Sequence, residues 1–306
     1  MNELVLSIGI ITYNQEKYIA QTLDSILSQE HNYDFEIIVG DDCSEDSTRS
    51  IVENYAAKYP NIVKPIYNEK NCGLIKNYYN VIKHCKGKYV MECAGDDFWL
   101  AGKVQKQINY MEAHPEVGLC YGKAQCVDED GTYLKRIVGK STMTFNELLN
   151  ENGIPAVTVC FKRSVFDTYF EDVFPESKPW IMEDYPLWLW ISKSSTIYFM
   201  NDLVAAYRMM PESVYNTANI DKKLLFEDNV YQIRTYFANR YGVEIEPYDR
   251  EKKKCNIMFE KLLFHYDKEN ADKLKQVLKP TSFKNVIMRI MISSKVLMKL
   301  YYYICV

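Results

Sequence analysis

Acidic side chains follow three short apolar segments in the first hundred residues. Residues 13–16 (YNQE) follow the first segment, Asp41 and Asp42 follow the second, and Asp96 and Asp97 follow a later one. One such pair alone is typical of a solvated turn, but three converging groups would repel each other unless a cation lay among them. Oxygen ligands without histidine favour Mg²⁺ or Mn²⁺ over Zn²⁺. The pattern therefore indicates a divalent metal that bridges the protein to an anionic substrate.

The segments that carry these acids have the pattern of parallel strands joined by helices. Buried strands are expected over 5–12, 35–39, 62–67 and 89–93, because each is a short apolar run bounded by polar residues. Helical periodicity is expected over 18–28, 47–59 and 74–84. In an open α/β sheet, ligands bind outside the carboxyl ends of the strands. The fold class is thus predicted to be α/β, with a mostly parallel sheet flanked by helices.

The rest of the chain divides into three parts. Residues 118–161 mix strand-like segments with the turn at 128–131, which predicts an antiparallel insertion or a mixed sheet edge. Residues 221–279 have long helical periodicity and predict a helical appendage. The predicted limits are 1–215 for the ligand-binding domain, 216–280 for the appendage and 281–306 for a final helix.

Composition excludes several classes of protein. The 306 residues carry 37 basic and 41 acidic side chains, a formal net charge of −4, so nucleic acid is not expected as a partner. Nine cysteines without a C-x-x-C pair argue against a disulfide framework or a zinc ribbon and favour a reducing compartment. No G-x-G-x-x-G follows the first strand, and Gly139-Lys140-Ser141 lacks the first glycine of a P-loop. Dinucleotide oxidoreductases and P-loop NTPases are therefore disfavoured.

Five sequence blocks, in this order, resemble the family 2 glycosyltransferases of GT-A fold. They are SIGIITYNQEKYIAQTLDSILSQ, EIIVGDDCSEDST, NEKNCGLIKNYYNVIKHCKGKYVMECAGDDFW, MEDYPLWLWI and AYRMMPESV. Each block alone is weak evidence, but their order and spacing are specific, and together they cover about residues 4–215. The resemblance implies inverting transfer of a sugar from a nucleotide-diphosphate donor.

The resemblance also implies the donor site. The residues that would line the base and ribose pocket are Thr12, Tyr13 and Glu16, while Asp42 would accept a hydrogen bond from N3 of a uracil ring. A carboxylate suits this ring donor because ionised acceptors form the stronger hydrogen bonds. Lys76 and Asn77 would approach the diphosphate or the sugar, although a lysine at this place is equally typical of a solvated helix face. The donor is accordingly expected to be a UDP-sugar.

The metal site implied by the resemblance departs from the family pattern. Asp96 and Asp97 lie where the family has its metal-binding D-x-D, and Arg208 is assigned to the charge of the diphosphate. The first aspartate of that motif is Ala94 here, and Met210 stands where relatives often have histidine. The cofactor is expected to be Mg²⁺ or Mn²⁺. Because of these departures, an alternative interpretation stays open: a degenerate glycosyltransferase that binds a nucleotide or a partner without turnover.

An acidic pair, Glu183-Asp184, precedes Trp188 and Trp190 and matches the family's general base. Asp184 is the first choice for the group that deprotonates the acceptor hydroxyl, and Glu183 is the second. The alternative interpretation is an acidic residue that favours the positive end of a helix. A sugar nucleotidyltransferase and an interaction protein acting through its helical third are weaker alternatives, because the first lacks its glycine-rich start and the second leaves the acidic strand ends unexplained.

The last segment, 283–306, is apolar apart from a few polar residues and four cations. On a helical wheel these cations, at 284, 289, 295 and 299, fall within an arc of about 140°. A basic amphipathic helix lying on an anionic bilayer tolerates them, whereas a spanning helix does not. The sequence thus predicts a cytoplasmic protein held at the inner membrane surface by this helix, although a helix packed on the core remains the alternative. The resemblance adds bacterial surface polysaccharide assembly and a saccharide or lipid-linked saccharide acceptor.

Overall fold

The computed structural model describes residues 4–210, 219–264, 268–277, 283–295 and 297–298. The contacts divide the chain into two compact units, Met1–Met209 and Met210–Val306. The predicted domain limits at 215 and 280 remain predictions. Strands in the first unit are β1 (Leu6–Thr12), β2 (Phe35–Asp41), β3 (Val63–Tyr67), β4 (Tyr89–Ala94), β5 (Phe98–Trp99), β6 (Val117–Val127), β7 (Tyr133–Val138), β8 (Cys160–Lys162) and β9 (Thr196–Arg208).

Helices flank this sheet in the first unit. They are α1 (Ile19–Leu27), α2 (Thr48–Lys58), α3 (Leu74–His84), α4 (Lys103–Ala113), α5 (Phe145–Asn150), α6 (Arg163–Val173) and α7 (Asp184–Ser194). The predicted α/β class is confirmed, and the four strands and three helices expected in the first hundred residues all form. Their apolar residues are buried in one core beneath α1, α2 and α4, as expected for strands covered on both faces.

The sheet is mixed, and its order in the described residues is β3-β2-β1-β4-β8-β6-β9-β5, with β7 paired to β6. The strands β1 to β4 are parallel to one another where they pair. The short strand β8 is antiparallel to both β4 and β6, and β9 is parallel to β6. The predicted antiparallel segment therefore lies inside the sheet instead of at its edge. Sequence separation conceals this, because β8 inserts beside β4 although about 70 residues lie between them.

One close approach brings α3 onto the sheet. Gly40, in β2, has no side chain, and a Cβ there would lie 2.3 Å from Val81 Cγ2 and 2.6 Å from Asn77 Oδ1. A glycine is required at such a contact because any larger residue would push the helix away. The contact fixes the beginning of α3 above the carboxyl end of β2, where the predicted ligand site lies.

The second unit is helical, with α8 (Ile220–Tyr241), α9 (Arg250–Phe264), α10 (Lys268–Val277) and α11 (Phe283–Met291). Side chains of its last three helices share a small core that includes Phe259, Leu274 and Met288. Helix α11 ends at Met291, the Ser293 hydroxyl donates to the Arg289 carbonyl at 2.6 Å, and residues 295 and 297–298 are again helical. The predicted helix over 281–306 stays a prediction. Residues 299–306 lie outside the described residues. No helix in the described ranges is long and apolar enough to cross a bilayer.

Candidate active site

The carboxyl ends of β1, β2 and β4 lie side by side. Register pairs Thr12 with Asp41 and Ile11 with Ala94. The turns that follow are tied to β1, because the Asp42 amide donates to the Thr12 carbonyl at 3.0 Å and the Gly95 amide donates to the Ile11 carbonyl at 2.9 Å. Two of the three predicted acidic turns therefore flank the third at one edge of the sheet.

Asp42 is buried and accepts hydrogen bonds from the loop at 68–73. Its Oδ1 accepts from Asn68 Nδ2 at 2.9 Å, from the Cys72 amide at 2.8 Å and from Cys72 Sγ at 3.0 Å. Its Oδ2 accepts from the Gly73 amide at 2.8 Å. Burial alone would raise the pKa of Asp42, but the hydrogen bonds from Cys72, Asn68 and Gly73 outweigh it and lower this pKa. The carboxylate is thus ionised, and Oδ2 has fewer donors than Oδ1.

The segment after β1 contributes the other predicted base and ribose residues. Thr12 is buried, and its Oγ1 donates to Gln15 Oε1 at 2.8 Å. Tyr13 is exposed, which leaves its ring open to a ligand. The Glu16 side chain accepts from the Ser47 amide at 2.8 Å and so holds this segment against the start of α2. The assignment of these three residues to a nucleoside pocket stays a prediction.

The two predicted residues of α3 differ in position. Lys76 is exposed in the first turn of the helix. Asn77 is buried, its Nδ2 donates to the Gly40 carbonyl at 2.9 Å, and its Oδ1 accepts from Asn68 at 3.1 Å. The assignment of Asn77 to the diphosphate or the sugar stays a prediction. The Asn77 amide joins β2 to the loop that holds Asp42, which makes it a positioning residue.

The two predicted metal ligands, Asp96 and Asp97, have different surroundings. Asp96 is half-buried, hydrogen-bonds to the Gln15 side chain, and has a pKa raised by burial. Asp97 is buried, and its Oδ1 accepts from the Arg208 amide at 2.7 Å, so this carboxylate faces the backbone of β9. The turn between them is held from α1, where Thr22 Oγ1 donates to the carbonyls of Gly95 and Asp97 at 2.9 and 2.7 Å. Asp96 is the less buried of the two carboxylates, and the assignment of both to a metal stays a prediction.

Arg208 is a structural clamp rather than a free cation. The side chain is buried, and its Nε donates to the Asp96 carbonyl at 2.7 Å. Its Nη1 donates to the carbonyls of Asp128 and Glu129 at 3.2 and 2.8 Å, and Nη2 donates to Gln21 Oε1 at 2.6 Å. Protein atoms engage four of the five guanidinium N–H donors, and the assignment of Arg208 to the charge of a diphosphate stays a prediction. A buried arginine so placed fixes the Asp96 turn against α1 and the β6–β7 turn.

The acidic pair predicted as the general base lies at the start of α7. Asp184 is half-buried, and its Oδ1 accepts from the Tyr185 amide at 2.6 Å. Burial raises the pKa of Asp184 to about 6. The pKa of Glu183 is raised further, first by burial and then by the Asp184 charge. A carboxylate with a pKa near 6 is ionised at neutral pH and can still take up a proton, which is what a general base requires.

Glu92 is a third member of this acidic group, and sequence reasoning gave it no role. It is buried in β4 and accepts a hydrogen bond from the Tyr78 hydroxyl. Burial raises the pKa of Glu92 to about 8, the Asp184 charge raises it too, and the Lys103 charge acts in the opposite direction. The signal available in the sequence was an acidic residue at a buried position of an apolar strand, YVMEC. Asp184 comes close enough to affect the pKa of Glu92 only in the folded protein, so the sequence pattern does not predict this proximity.

Asp96 suits a divalent metal that takes few of its ligands from the protein. Among the residues that the structure describes, no three histidine, cysteine or acidic side chains are grouped to hold a metal ion. Mg²⁺ commonly keeps several waters and binds through one or two carboxylates together with substrate phosphates. Asp96 would supply the one carboxylate in such a site, with the other positions filled by phosphate oxygens and water.

Comparison with known proteins places this site in a family. A family model described as glycosyl transferase family 2 matches residues 7–170, more than half of the chain. The chain belongs to glycosyl transferase family 2. An uncharacterized protein of Mycobacterium tuberculosis is 30% identical over 227 residues, which cover 72% of this chain and 64% of that protein. The chain thus spans less than two thirds of this relative's length.

Two further comparisons add a named relative and a solved structure. The Escherichia coli protein WfgD, named as a UDP-Glc:α-D-GlcNAc-diphosphoundecaprenol β-1,3-glucosyltransferase, is 28% identical over 217 residues, covering 70% of this chain and 81% of WfgD. The mannosyltransferase PcManGT of Pyrobaculum calidifontis, solved with GDP-Man and Mn²⁺, superposes with a TM-score of 0.58 at 14% identity, covering 99% of this chain and 88% of that one. The fold is therefore of the GT-A type.

Proposed function

We propose that this protein transfers a sugar from a UDP-sugar to a hydroxyl group of a saccharide acceptor, with inversion at the sugar carbon. The observation that carries the proposal is the contrast between two carboxylates, Asp42 at the carboxyl end of β2 and Asp184 at the start of α7. Asp42 is kept ionised by hydrogen bonds, whereas Asp184 has a pKa near 6 and few donors. The first suits a fixed polar contact with a donor, and the second suits proton uptake.

The two carboxylate oxygens of Asp42 accept different numbers of hydrogen bonds, and this difference supports uracil as the base of the donor. Oδ1 has three donors and Oδ2 has one, so the carboxylate offers one oxygen to a ligand. Uracil presents a single N–H between two carbonyl groups, which one acceptor satisfies. Guanine presents two adjacent donors that are best matched by both oxygens of a carboxylate. This difference favours UDP over GDP, in line with the UDP-Glc in the name of WfgD.

Asp96 and Lys76 are proposed to serve the diphosphate. Asp96 would hold Mg²⁺ or Mn²⁺, and a bound metal would offset the charge that grows on the departing nucleotide. Lys76 is exposed in the first turn of α3, where a helix N-terminus favours an anion. Asp97 and Arg208 hold the turn that carries Asp96 in place.

Asp184 is proposed to act as the general base. The acceptor hydroxyl loses its proton to Asp184 while its oxygen bonds to the anomeric carbon, and the bond from that carbon to the diphosphate oxygen breaks on the opposite face. UDP leaves with the electron pair of that bond. General base catalysis of this kind contributes about 10²- to 10⁴-fold.

The acceptor is proposed to be a saccharide on a lipid diphosphate in bacterial surface polysaccharide assembly, at the cytoplasmic face of the inner membrane. Support comes from the acceptor in the name of WfgD. The exposed side chains Val286, Ile287 and Ile290 lie beside Arg289 on α11, which suits contact with an anionic bilayer. In Ile287→Ser/Ile290→Ser, sedimentation with anionic liposomes should fall; unchanged sedimentation would remove this role from α11.

Calorimetric titration with UDP and with GDP, each with and without Mn²⁺, tests the donor site. Wild type should bind UDP more tightly than GDP, and Mn²⁺ should strengthen UDP binding. Asp96→Ala should lose the effect of Mn²⁺, while Asp130→Ala, in an exposed turn, should keep it. No nucleotide binding under any condition would overturn the proposal. UDP binding without turnover of any UDP-sugar would favour the degenerate alternative raised by Ala94 and Met210.

A further inference from the structure

Strand β7 exposes large apolar side chains on both of its faces. Tyr133, Leu134 and Ile137 are 61%, 37% and 52% exposed. A strand on the surface of a core normally alternates buried and exposed residues, because successive side chains point to opposite faces. Within the described residues β7 pairs with β6 alone, so its outer edge is open. An open apolar strand edge promotes aggregation unless a binding partner covers it.

Two cations lie between these apolar residues. Lys135 and Arg136 are both exposed, and no ion pair involves either of them in the described part of the chain. Other surface lysines of the first unit do form ion pairs: Lys140 contacts Glu151 at 2.6 Å, and Lys106 contacts Asp202 at 2.8 Å. The strand from Tyr133 to Ile137 therefore carries two positive charges and three apolar side chains without an acidic residue.

The register connects this strand to the candidate active site. Tyr133 pairs with Val127 of β6, and Val127 pairs with Arg208 of β9. Arg208 also holds the turn that leads into β7, through the carbonyls of Asp128 and Glu129. The same arginine fixes the turn of Asp96. Strand β7 is therefore separated by one strand, β6, from Arg208, the residue that holds the turn of Asp96.

Electrostatic interactions distinguish two possible partners of this edge, a second copy of β7 and an anionic bilayer. If β7 paired antiparallel with a second copy of itself about its centre, Lys135 would face Arg136 of the copy, and like charges directly opposite each other are destabilising. An anionic bilayer attracts both cations. Its interfacial region also accepts tyrosine and aliphatic side chains.

We propose that β7 is a bilayer-docking surface of the first unit, with Lys135 and Arg136 on anionic headgroups and Tyr133, Leu134 and Ile137 in the interface. This surface is distinct from α11, which belongs to the other unit. Its role in presenting a lipid-linked acceptor to Asp184 rests on the proposed function. Docking itself does not, and it can be measured without turnover.

The test is sedimentation of the full-length protein with vesicles of equal parts phosphatidylglycerol and phosphatidylcholine, compared with phosphatidylcholine alone. Two independent variants, Tyr133→Ser/Ile137→Ser and Lys135→Gln/Arg136→Gln, should each lower the bound fraction about fivefold or more. Phe174→Ser, which removes a ring that is 65% exposed, and Lys58→Gln/Lys86→Gln, which removes the same charge, are the matched controls. Both should sediment like wild type.

Each other outcome overturns the docking proposal. Wild-type sedimentation by both β7 variants would exclude this surface, as would an absence of wild-type binding or equal binding to the two kinds of vesicle. A wild-type dimer that becomes a monomer in the β7 variants would identify a second copy as the occupant. UDP affinity and thermal unfolding of each variant show that it is folded. They also separate a failure of docking from a failure of the donor site.

Discussion

Two buried glutamates, one near the amino end of β2 and one in the second half of β4, have pKa values shifted in opposite directions. Glu36, near the start of β2, accepts from Lys64 Nζ at 2.6 Å, from Ser7 Oγ at 2.6 Å and from the Lys86 amide at 2.8 Å. Burial would raise its pKa, but these donors lower it. Glu92, near the end of β4, has one hydroxyl donor in Tyr78 and a pKa raised by burial to about 8.

The two glutamates belong to two different regions. Glu36 stabilises the amino-terminal end of the sheet, and Glu92 belongs to the candidate active site. Both side chains are nearly inaccessible to solvent, but Glu92 lies deeper in the protein with one hydroxyl donor, whereas Glu36 has three donors, one of them the Lys64 ammonium. At the amino ends of the strands, the acid is fully hydrogen-bonded and holds elements together. Glu92, in the second half of β4, instead lies near Glu183 and Asp184 at the start of α7, and this group has few donors. Such groups are costly to a fold and are typical of sites that move protons.

The largest effect is expected from Asp184→Asn, which removes the proposed base and keeps its shape. The turnover number for sugar transfer should fall about 10³-fold, because an amide cannot take the acceptor proton. UDP affinity should change less than about twofold, since the site of the base is separate from that of the nucleotide. Steady-state kinetics and calorimetry measure the two quantities.

The control for this variant is Asp167→Asn, which removes an exposed carboxylate paired with Arg163. Its turnover should equal that of wild type. Glu183→Gln should retain more activity than Asp184→Asn. The reverse order would transfer the role of base to Glu183, and full activity in both variants would place the base elsewhere.

Asp42→Asn should have the next largest effect, on donor binding. The amide cannot accept from every donor of the 68–73 loop, and a hydrogen bond to a charged group contributes about 1.5–3 kcal/mol. UDP affinity should fall about tenfold or more, with a smaller change in turnover at saturating donor. Calorimetry gives the affinity, and unchanged UDP binding would mean that Asp42 only supports the loop.

Glu36→Gln and Glu92→Gln should change stability in opposite directions at pH 8.5. The pKa of Glu36 is lowered by folding, so its contribution is present above its unfolded pKa and is lost as pH falls through the folded value. The pKa of Glu92 is raised from 4.5 to about 8, so the folded state holds a proton that the unfolded state releases, and stability falls as pH rises between these values.

Chemical denaturation of both variants at pH 5 and pH 8.5 checks this contrast. Glu36→Gln should be about 2 kcal/mol less stable than wild type at pH 8.5, because charged hydrogen bonds are lost. Glu92→Gln should be more stable than wild type at pH 8.5 and nearly equal at pH 5. Destabilisation by both variants at both values would show that Glu92 is as well satisfied as Glu36.

Local pattern predicted the strands and helices of the first hundred residues, because apolar runs, capping residues and glycines act over short distances. It also identified Asp42, Asp96 and Asp184 as acids at the ends of elements. Local pattern did not identify side-chain partners that come from a distant part of the chain. Arg208 was assigned to a ligand, yet it closes contacts with residues about 80 to 190 positions away. Glu92 was passed over because Tyr78 and α7 reach it only in the fold.

The central claim is that burial raises the pKa of Asp184 only to about 6, so that this carboxylate is ionised at neutral pH and able to accept a proton. The most direct test is the pH dependence of turnover at saturating donor and acceptor, for wild type and for Asp42→Asn. Asp184 must be deprotonated to act, so turnover should be constant above pH 7 and fall about tenfold per unit below about 6 in both proteins. Turnover that stays constant down to pH 4.5 would contradict the claim.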